Sequence, residues 1–412
     1  MSYLRHRALQ QDHNRNVYKR SNSSVSTTVV NLEDSKPSNM TFTVLTEQNI
    51  SQILSNLPPS QLSGFVQALE KALIDYSCQD GATYQCERGV VTRPDGQTSL
   101  FMPATTSDLI GTKIVGVRPS TKPPILDRNQ IPQPALKSVL TLCDAQGQAI
   151  GVLNAAGLTA FRTSLGSMLL FRYRKNVENI VVFGAGQQAL WHVRLAILLR
   201  GDDIRKVTIV NRSTERTRNM IADLSEPGMR RPDHITITAF NDSPDRDANL
   251  ETLLVESDAI FCTTPSTEPL FPASYLTSPE AQKKPRYISA IGSYKLNMQE
   301  IDPKLLQELT DPASSLPFPT YKGGVVTVDS VDGCLHEAGE LVRAGVSVDR
   351  MLEVGRILAE KSGNGEGDLT TWLENGFVVY KSVGVGVMDL AIGQHLLQVA
   401  EAQGIGLRLD EF

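Results

Sequence analysis

The spacing of apolar and polar positions changes character along this chain, and each change predicts a different kind of element. From Met40, TFTVLTEQNISQIL and then SQLSGFVQALEKALIDY predict a short strand and two helices, with Ser60 as an N-cap. In VVTRPDGQTSLFMPA two apolar runs flank Pro94-Asp95-Gly96, which predicts a hairpin. GTKIVGV and KSVLTLCDAQGQAIGVLN add strands, the latter pair turned at Asp144-Ala145-Gln146-Gly147. Successive hairpins predict a mixed or antiparallel sheet up to about residue 155. In LTAFRTSLGSMLLFRYRK, Leu158, Phe161, Leu165, Met168 and Leu169 recur at helical spacing, as expected of a helix bridging two domains.

Beyond that helix, strands and helices alternate: NIVVF, a helix from Gln187, KVTIV, a helix over 214–224, HITITAF, DAIFC, RYISAI and GVVTV. This alternation predicts a parallel, doubly wound sheet. A last apolar run, FVVYKSVGVGVMDLAIGQHLLQVA, follows the loop Ser362–Gly367 and is expected to return to the first domain. The predicted class is α/β, a Rossmann sheet plus a second α+β domain formed from both chain ends. Its parts are a flexible extension over 1–39, a substrate and dimerisation domain over 40–170 and 372–412, and a Rossmann domain over 171–371.

Composition narrows the class. With 412 residues, 41% hydrophobic and 21% charged, the chain can build the cores of more than one domain, which excludes wholesale disorder. A net charge of −5 argues against broad nucleic-acid binding. No stretch approaches the roughly 18 apolar residues of a spanning helix, so no membrane partner is expected. Cys78, Cys86, Cys143, Cys262 and Cys334 are scattered with no CxxC pair, and read as reduced thiols of a cytoplasmic protein. The six histidines show no metal-ligand spacing, so no metal is expected; His192, His336 and His395 read as structural. MSYLRHRALQQDHNRNVYKRSNSSVSTTVV sets five Lys/Arg against Asp12 alone. It reads as a solvated tail, with a mitochondrial transit sequence as the alternative.

The sharpest motif is IVVFGAGQQALWHVRLAILL, in which Gly184-Ala185-Gly186-Gln187-Gln188-Ala189 is G-x-G-x-x-A between an apolar strand and a helix. Gly184 permits the tight turn, Gly186 lets backbone approach a pyrophosphate, and Ala189 lets helix and strand pack closely. The next strand ends in Asn211-Arg212-Ser213, where an NAD site usually carries an acid for the ribose 2′-OH. A carboxylate there would repel a 2′-phosphate, whereas these residues can bond it, so NADP(H) is expected ahead of NAD(H). Thr263, closing the fourth Rossmann strand, and Ser382 are further candidates for lining the dinucleotide.

SLFMPA, GTKIVGV, LTAFRTS, IVVFGAGQQA, AIGSYKLNMQEID, VTVDS…HEAGEL and VYKSVGVGVMD occur in one order. Together they resemble the ornithine cyclodeaminase/mu-crystallin family over about residues 40–400. The resemblance implies a homodimer, and substrates that are amino acids or cyclic imines bearing a carboxylate. It also implies that Arg88 and Arg162 bind the carboxylate and that Lys113 is the active-site lysine, with Arg93 a competing candidate for the first arginine. Two guanidiniums can grip one carboxylate while an ammonium orients or protonates an imine nitrogen. Cyclodeaminases of the family carry an aspartate where this chain has Tyr294; the ketimine reductases lack it and favour NADPH. The leading expectation is an NAD(P)H-dependent ketimine reductase or amino-acid dehydrogenase. An ornithine cyclodeaminase and a non-enzymatic small-molecule binder are the alternatives. Asp329, Glu337 and Glu340 read as helix-capping and surface acids.

Overall fold

The computed structural model describes residues 41–118, 136–229, 231–241, 244–363, 367–410 and 412. The extension expected over 1–39 and part of the loop Ser362–Gly367 lie outside the described residues. The chain opens with β1 (Phe42–Leu45), α1 (Glu47–Ser55) and α2 (Pro59–Cys78). Thr46 caps α1 in a reciprocal capping box with Asn49. Helix α2 starts two residues earlier than expected, with Pro58 at the N-cap and Pro59 at its first position; Ser60 is not the cap. There follow β2 (Gly89–Thr92), β3 (Thr98–Thr105), β4 (Leu109–Val117), β5 (Leu136–Asp144) and β6 (Ala149–Asn154). Together with β15 (Leu407–Leu409) these strands form a seven-stranded sheet ordered β15-β1-β6-β5-β4-β3-β2. Only the β1–β6 pair is parallel; the other ladders are antiparallel, as the hairpins predict.

Helix α3 (Ala156–Phe171) then leads into the second sheet, and Ala160–Phe171 is buried throughout. It is apolar nearly all round because it packs on β5 and α2 on one side and on the first Rossmann helix on the other. The second sheet contains β7 (Asn179–Phe183), then α4 (Gln187–Arg200), β8 (Lys206–Val210), α5 (Thr214–Asp223), β9 (Thr236–Ala239), α6 (Arg246–Glu256) and β10 (Ala259–Cys262). It continues through α7 (Ser274–Thr277), β11 (Tyr287–Ala290), α8 (Pro303–Thr310), β12 (Val326–Val328), α9 (Val331–Glu337), α10 (Gly339–Ala344) and β13 (Met351–Glu353). The helices α11 (Val354–Ser362) and α12 (Asp368–Asn375) precede β14 (Val378–Lys381), and α13 (Gly386–Gln403) follows it.

The eight strands lie in the order β13-β12-β14-β11-β10-β7-β8-β9, and every pair is parallel. Both faces of β7 are covered: Ile180 and Val182 join one core, Val181 and Phe183 the other. That is why NIVVF reads as a continuous apolar run rather than an alternating one. The sheet winds in opposite directions from β7 and β10, which opens a crevice at the carboxyl ends of those two strands. The final segment is shared. Strand β14 sits inside the Rossmann sheet and α13 packs on β3, β4 and β5, so the chain crosses back near Ser382 rather than at residue 372.

Candidate active site

The crevice between β7 and β10 has the form a dinucleotide needs. Gly184 has φ 112°, and a Cβ there would stand 2.6 Å from Thr263 Oγ1. Gly186 is the N-cap of α4 without a side-chain cap, and a Cβ on it would meet nothing within 4 Å. Nothing therefore crowds the N-terminus of α4 at Gly186, an anion-favouring helix terminus. Beyond Gly186 and Gln187 an open hollow of about 300 Å³ is flanked by Arg216 and Asn219. Thr264 Oγ1 is shielded from solvent and has no hydrogen-bond partner among the described residues. These features fit a bound dinucleotide.

The residues after β8 divide their duties. Asn211 donates from Nδ2 to Ser213 O at 3.0 Å, and Ser213 accepts from Arg216 N as the N-cap of α5. Arg212 is exposed between them. Ala189 is buried against the strand. Thr263 donates its hydroxyl to Phe183 O at 2.7 Å and so joins β10 to β7 at the crevice, whereas Ser382 is buried after β14 and donates its hydroxyl to Asp329 Oδ2 at 2.6 Å.

The three cations singled out in the sequence converge on Gly384 and the first turn of α13. Lys113, on the inner face of β4, places Nζ 2.7 Å from Asp389 Oδ2, and Arg162 of α3 places Nε 3.1 Å from Asp389 Oδ1. All three side chains are buried. Arg88 donates from Nη2 to Gly384 O at 2.8 Å and to Val383 O at 3.3 Å. Gly384 has φ 88°, and a Cβ there would lie 2.9 Å from Arg162 Nη2. Only glycine at this position lets both arginines approach. A cleft of about 400 Å³ opens here, lined by Arg88, Met102, Ser330, Glu337 and residues 383–386.

The electrostatics follow from burial. Burial lowers Lys113 to about 8, since desolvation and the nearby Arg162 outweigh the attraction of Asp389. Burial alone would raise Asp389, but Arg162 and Lys113 outweigh it and hold the carboxyl below its ordinary range.

Three acids read as capping or surface residues prove otherwise. Asp329 is fully buried and accepts from Ser330 N, Ser382 Oγ, Val383 N and Gly384 N, so it holds the 382–384 segment in place. Glu340 is fully buried and lies 3.0 Å from Lys381 Nζ, while Ser293 donates to it at 2.6 Å. Glu337 pairs with Arg88 across the cleft at 3.1 Å. Beneath the Ser293–Tyr294 turn, Glu300 accepts from Thr264 N and Gly292 N. Burial pushes Glu300 up to about 7 against the opposing pull of Lys381 and those N–H donors. Tyr294 itself stands at the surface, with Lys295 Nζ 5.7 Å from its ring. His192 is buried between Ser164 and Ser167, at 2.8 Å from each, and burial lowers it to about 4, consistent with a structural histidine. Among the described residues no cluster of His, Cys, Asp or Glu could hold a metal, and no helix is long and apolar enough to cross a membrane.

Comparison with known proteins adds a family. The model of the ornithine cyclodeaminase/mu-crystallin family matches residues 60–402. The chain is similar to the Delta(1)-pyrroline-2-carboxylate reductase of Bacillus cereus (strain ZK / E33L), at 27% identity over 323 residues, covering 76% of this chain and 85% of that protein. Its fold is similar to that of the Thermococcus litoralis Delta(1)-pyrroline-2-carboxylate reductase in complex with NADH and L-proline. There the TM-score is 0.67 at 16% identity, over 89% of this chain and 100% of that one. An archaeal alanine dehydrogenase dimer with bound NAD gives the same TM-score of 0.67 at 18% identity, over 90% of this chain and 100% of that one.

Removing Asp389's charge leaves two buried cations uncompensated. Asp389→Asn is expected to lower unfolding free energy by about 3–5 kcal/mol, measured by denaturant titration at neutral pH. A loss under about 1 kcal/mol would show that the trio does not tie these elements together.

Proposed function

Because this chain belongs to the ornithine cyclodeaminase/mu-crystallin family, we propose that it is an NAD(P)H-dependent reductase of carboxylate-bearing ketimines, an oxidoreductase acting on C=N groups. The reading rests on one observation above all: Arg88 and Arg162 both close on Gly384, with Lys113 tied to Arg162 through Asp389. In this reading the guanidiniums grip the substrate carboxylate by charge-assisted hydrogen bonds and fix the imine beside Lys113. The ammonium of Lys113, with its pKa lowered to about 8, donates a proton to the imine nitrogen near neutral pH. Asp389 keeps Lys113 and Arg162 aimed, and Met102, paired with Lys113 across the β3–β4 ladder, gives the cleft an apolar wall. Gly184, Gly186, Gln187 and Ala189 would hold a dinucleotide at its pyrophosphate, and the nicotinamide of that group would supply the hydride for the imine carbon. Tyr294 favours reduction over cyclodeamination, since the turn offers no carboxylate, and the acids beneath it are engaged by backbone N–H groups and Lys381. The five free cysteines suit a reducing compartment, which supports the cytoplasm.

NADPH is the cofactor this reading prefers, because exposed Arg212 stands where an acid would serve the ribose 2′-OH. A homodimer is supported by the outer face of the seven-stranded sheet. Val91, Phe101, Ile110 and Ile114 share that face by their register and are all more than a third exposed. A contiguous apolar face of this kind fits a second copy of the chain.

Four measurements check these points. NADPH oxidation with 1-pyrroline- and 1-piperideine-2-carboxylate should show turnover, and no turnover on any cyclic ketimine sinks the reading. Because the donor is protonated Lys113, the reductive rate should fall as pH rises through about 8, and Lys113→Met should cost about 10²–10⁴-fold in kcat. Arg212→Glu should shift the kcat/KM ratio toward NADH by about tenfold or more; an unchanged ratio removes Arg212 from cofactor choice. Phe101→Glu combined with Ile114→Lys should halve the mass seen by sedimentation at micromolar concentration. An unchanged mass would place the interface elsewhere.

A further inference from the structure

Resting on the reductase reading, the geometry points to Glu337 as the residue that selects the far end of the substrate: the cleft admits ketimines with one carboxylate and rejects those with two. Glu337 closes α9, on the Rossmann side, and its Oε1 lies 3.1 Å from Arg88 Nε, which comes from the segment before β2. Arg88 also spends Nη2 on the carbonyls of Val383 and Gly384. One edge of the guanidinium is thus fixed by the chain's own acceptors, and its charge is already matched. The other oxygen, Glu337 Oε2, is shielded from solvent and has no hydrogen-bond partner among the described residues. A carboxylate so placed repels further negative charge more strongly than a solvated one.

The charges around the cleft decide how many substrate carboxylates it can take. Of the three cations, Arg88 lines the cleft and is matched by Glu337; behind the wall Lys113 and Arg162 share Asp389, which leaves that trio one positive charge unmatched. A single substrate carboxylate neutralises it. Towards the mouth the lining turns negative, with Glu87 and Asp332 exposed beside Glu337. His336 rests 3.8 Å from Asp332. Asp329, buried behind the 382–384 segment, adds to the negative side. A second carboxylate at that end would meet like charges with no cation to pair, whereas a ring carbon there meets no such penalty.

The test compares initial rates of NADPH oxidation by the full-length protein on two substrates. One is 1-pyrroline-2-carboxylate; the other is the dicarboxylic imine formed in situ from oxaloacetate and ammonia. The wild type should favour the monocarboxylate in kcat/KM by at least about tenfold. Glu337→Gln keeps an acceptor for Arg88 but removes the charge, and should narrow that preference by about tenfold, chiefly through KM for the dicarboxylate. Asp332→Asn, an exposed change, should move the ratio the same way by about threefold. A wild type that prefers the dicarboxylate, or a ratio unmoved in both variants, overturns the inference and leaves the reductase reading standing. Turnover of neither substrate overturns the reductase reading, and the inference with it.

Discussion

A buried carboxylate between two buried cations is the constraint on which this site depends. Asp389 comes from α13, Lys113 from β4 and Arg162 from α3, and none of the three could remain buried and charged alone. Taking an unpaired charge from water costs several kcal/mol, and the trio recovers that cost only when all three elements are docked. Close packing of α13 on the seven-stranded sheet and correct placement of the cations are therefore one event. The chain's return from the Rossmann sheet is locked by the same groups that the proposed function draws on.

A second buried network anchors the other end of that return. Lys381, the last residue of β14, donates to Ser293 O at 2.6 Å and pairs with Glu340. Burial would lower Lys381, but Glu340 and Glu300 outweigh it and hold the ammonium above its ordinary range. Between Lys381 and Asp389 runs the short stretch 382–385, whose backbone N–H groups at Val383 and Gly384 are taken by Asp329. Both ends and the middle of this stretch are held by ionic groups. It can therefore present Gly384 to two arginines without drifting, as a site relying on pre-set geometry requires.

The two halves of the site differ in how easily they could be read. The G-x-G-x-x-A turn was legible because glycine, small residues and strand–helix alternation are all local, within one βα unit. The cations Arg88, Lys113 and Arg162 were legible through ordered motifs. Their partners were not. Asp389 lies 276 residues from Lys113 and 227 from Arg162, on a helix whose pattern gives no sign of a counter-ion. Glu337, Glu340 and Asp329 sit at helix starts and ends, where acids are ordinarily solvated caps, and nothing local separates a cap from a buried partner. The three-residue strands β13 and β15 carried too few positions to show a period, and the crossover near Ser382 was hidden within one continuous apolar run.

Apolar periodicity determined most of the element order and the parallel and hairpin-built sheets, and glycines with small residues marked the G-x-G-x-x-A turn, because each depends on neighbours a few residues apart. Only tertiary structure decided which charges pair, which acids are buried and how many positive charges remain for a ligand. Those outcomes depend on desolvation and on distances of a few ångströms between residues hundreds of positions apart, as in the Lys113–Asp389 pair at 2.7 Å. No local pattern encodes such distances; the packing of α3 and α13 against the first sheet creates them.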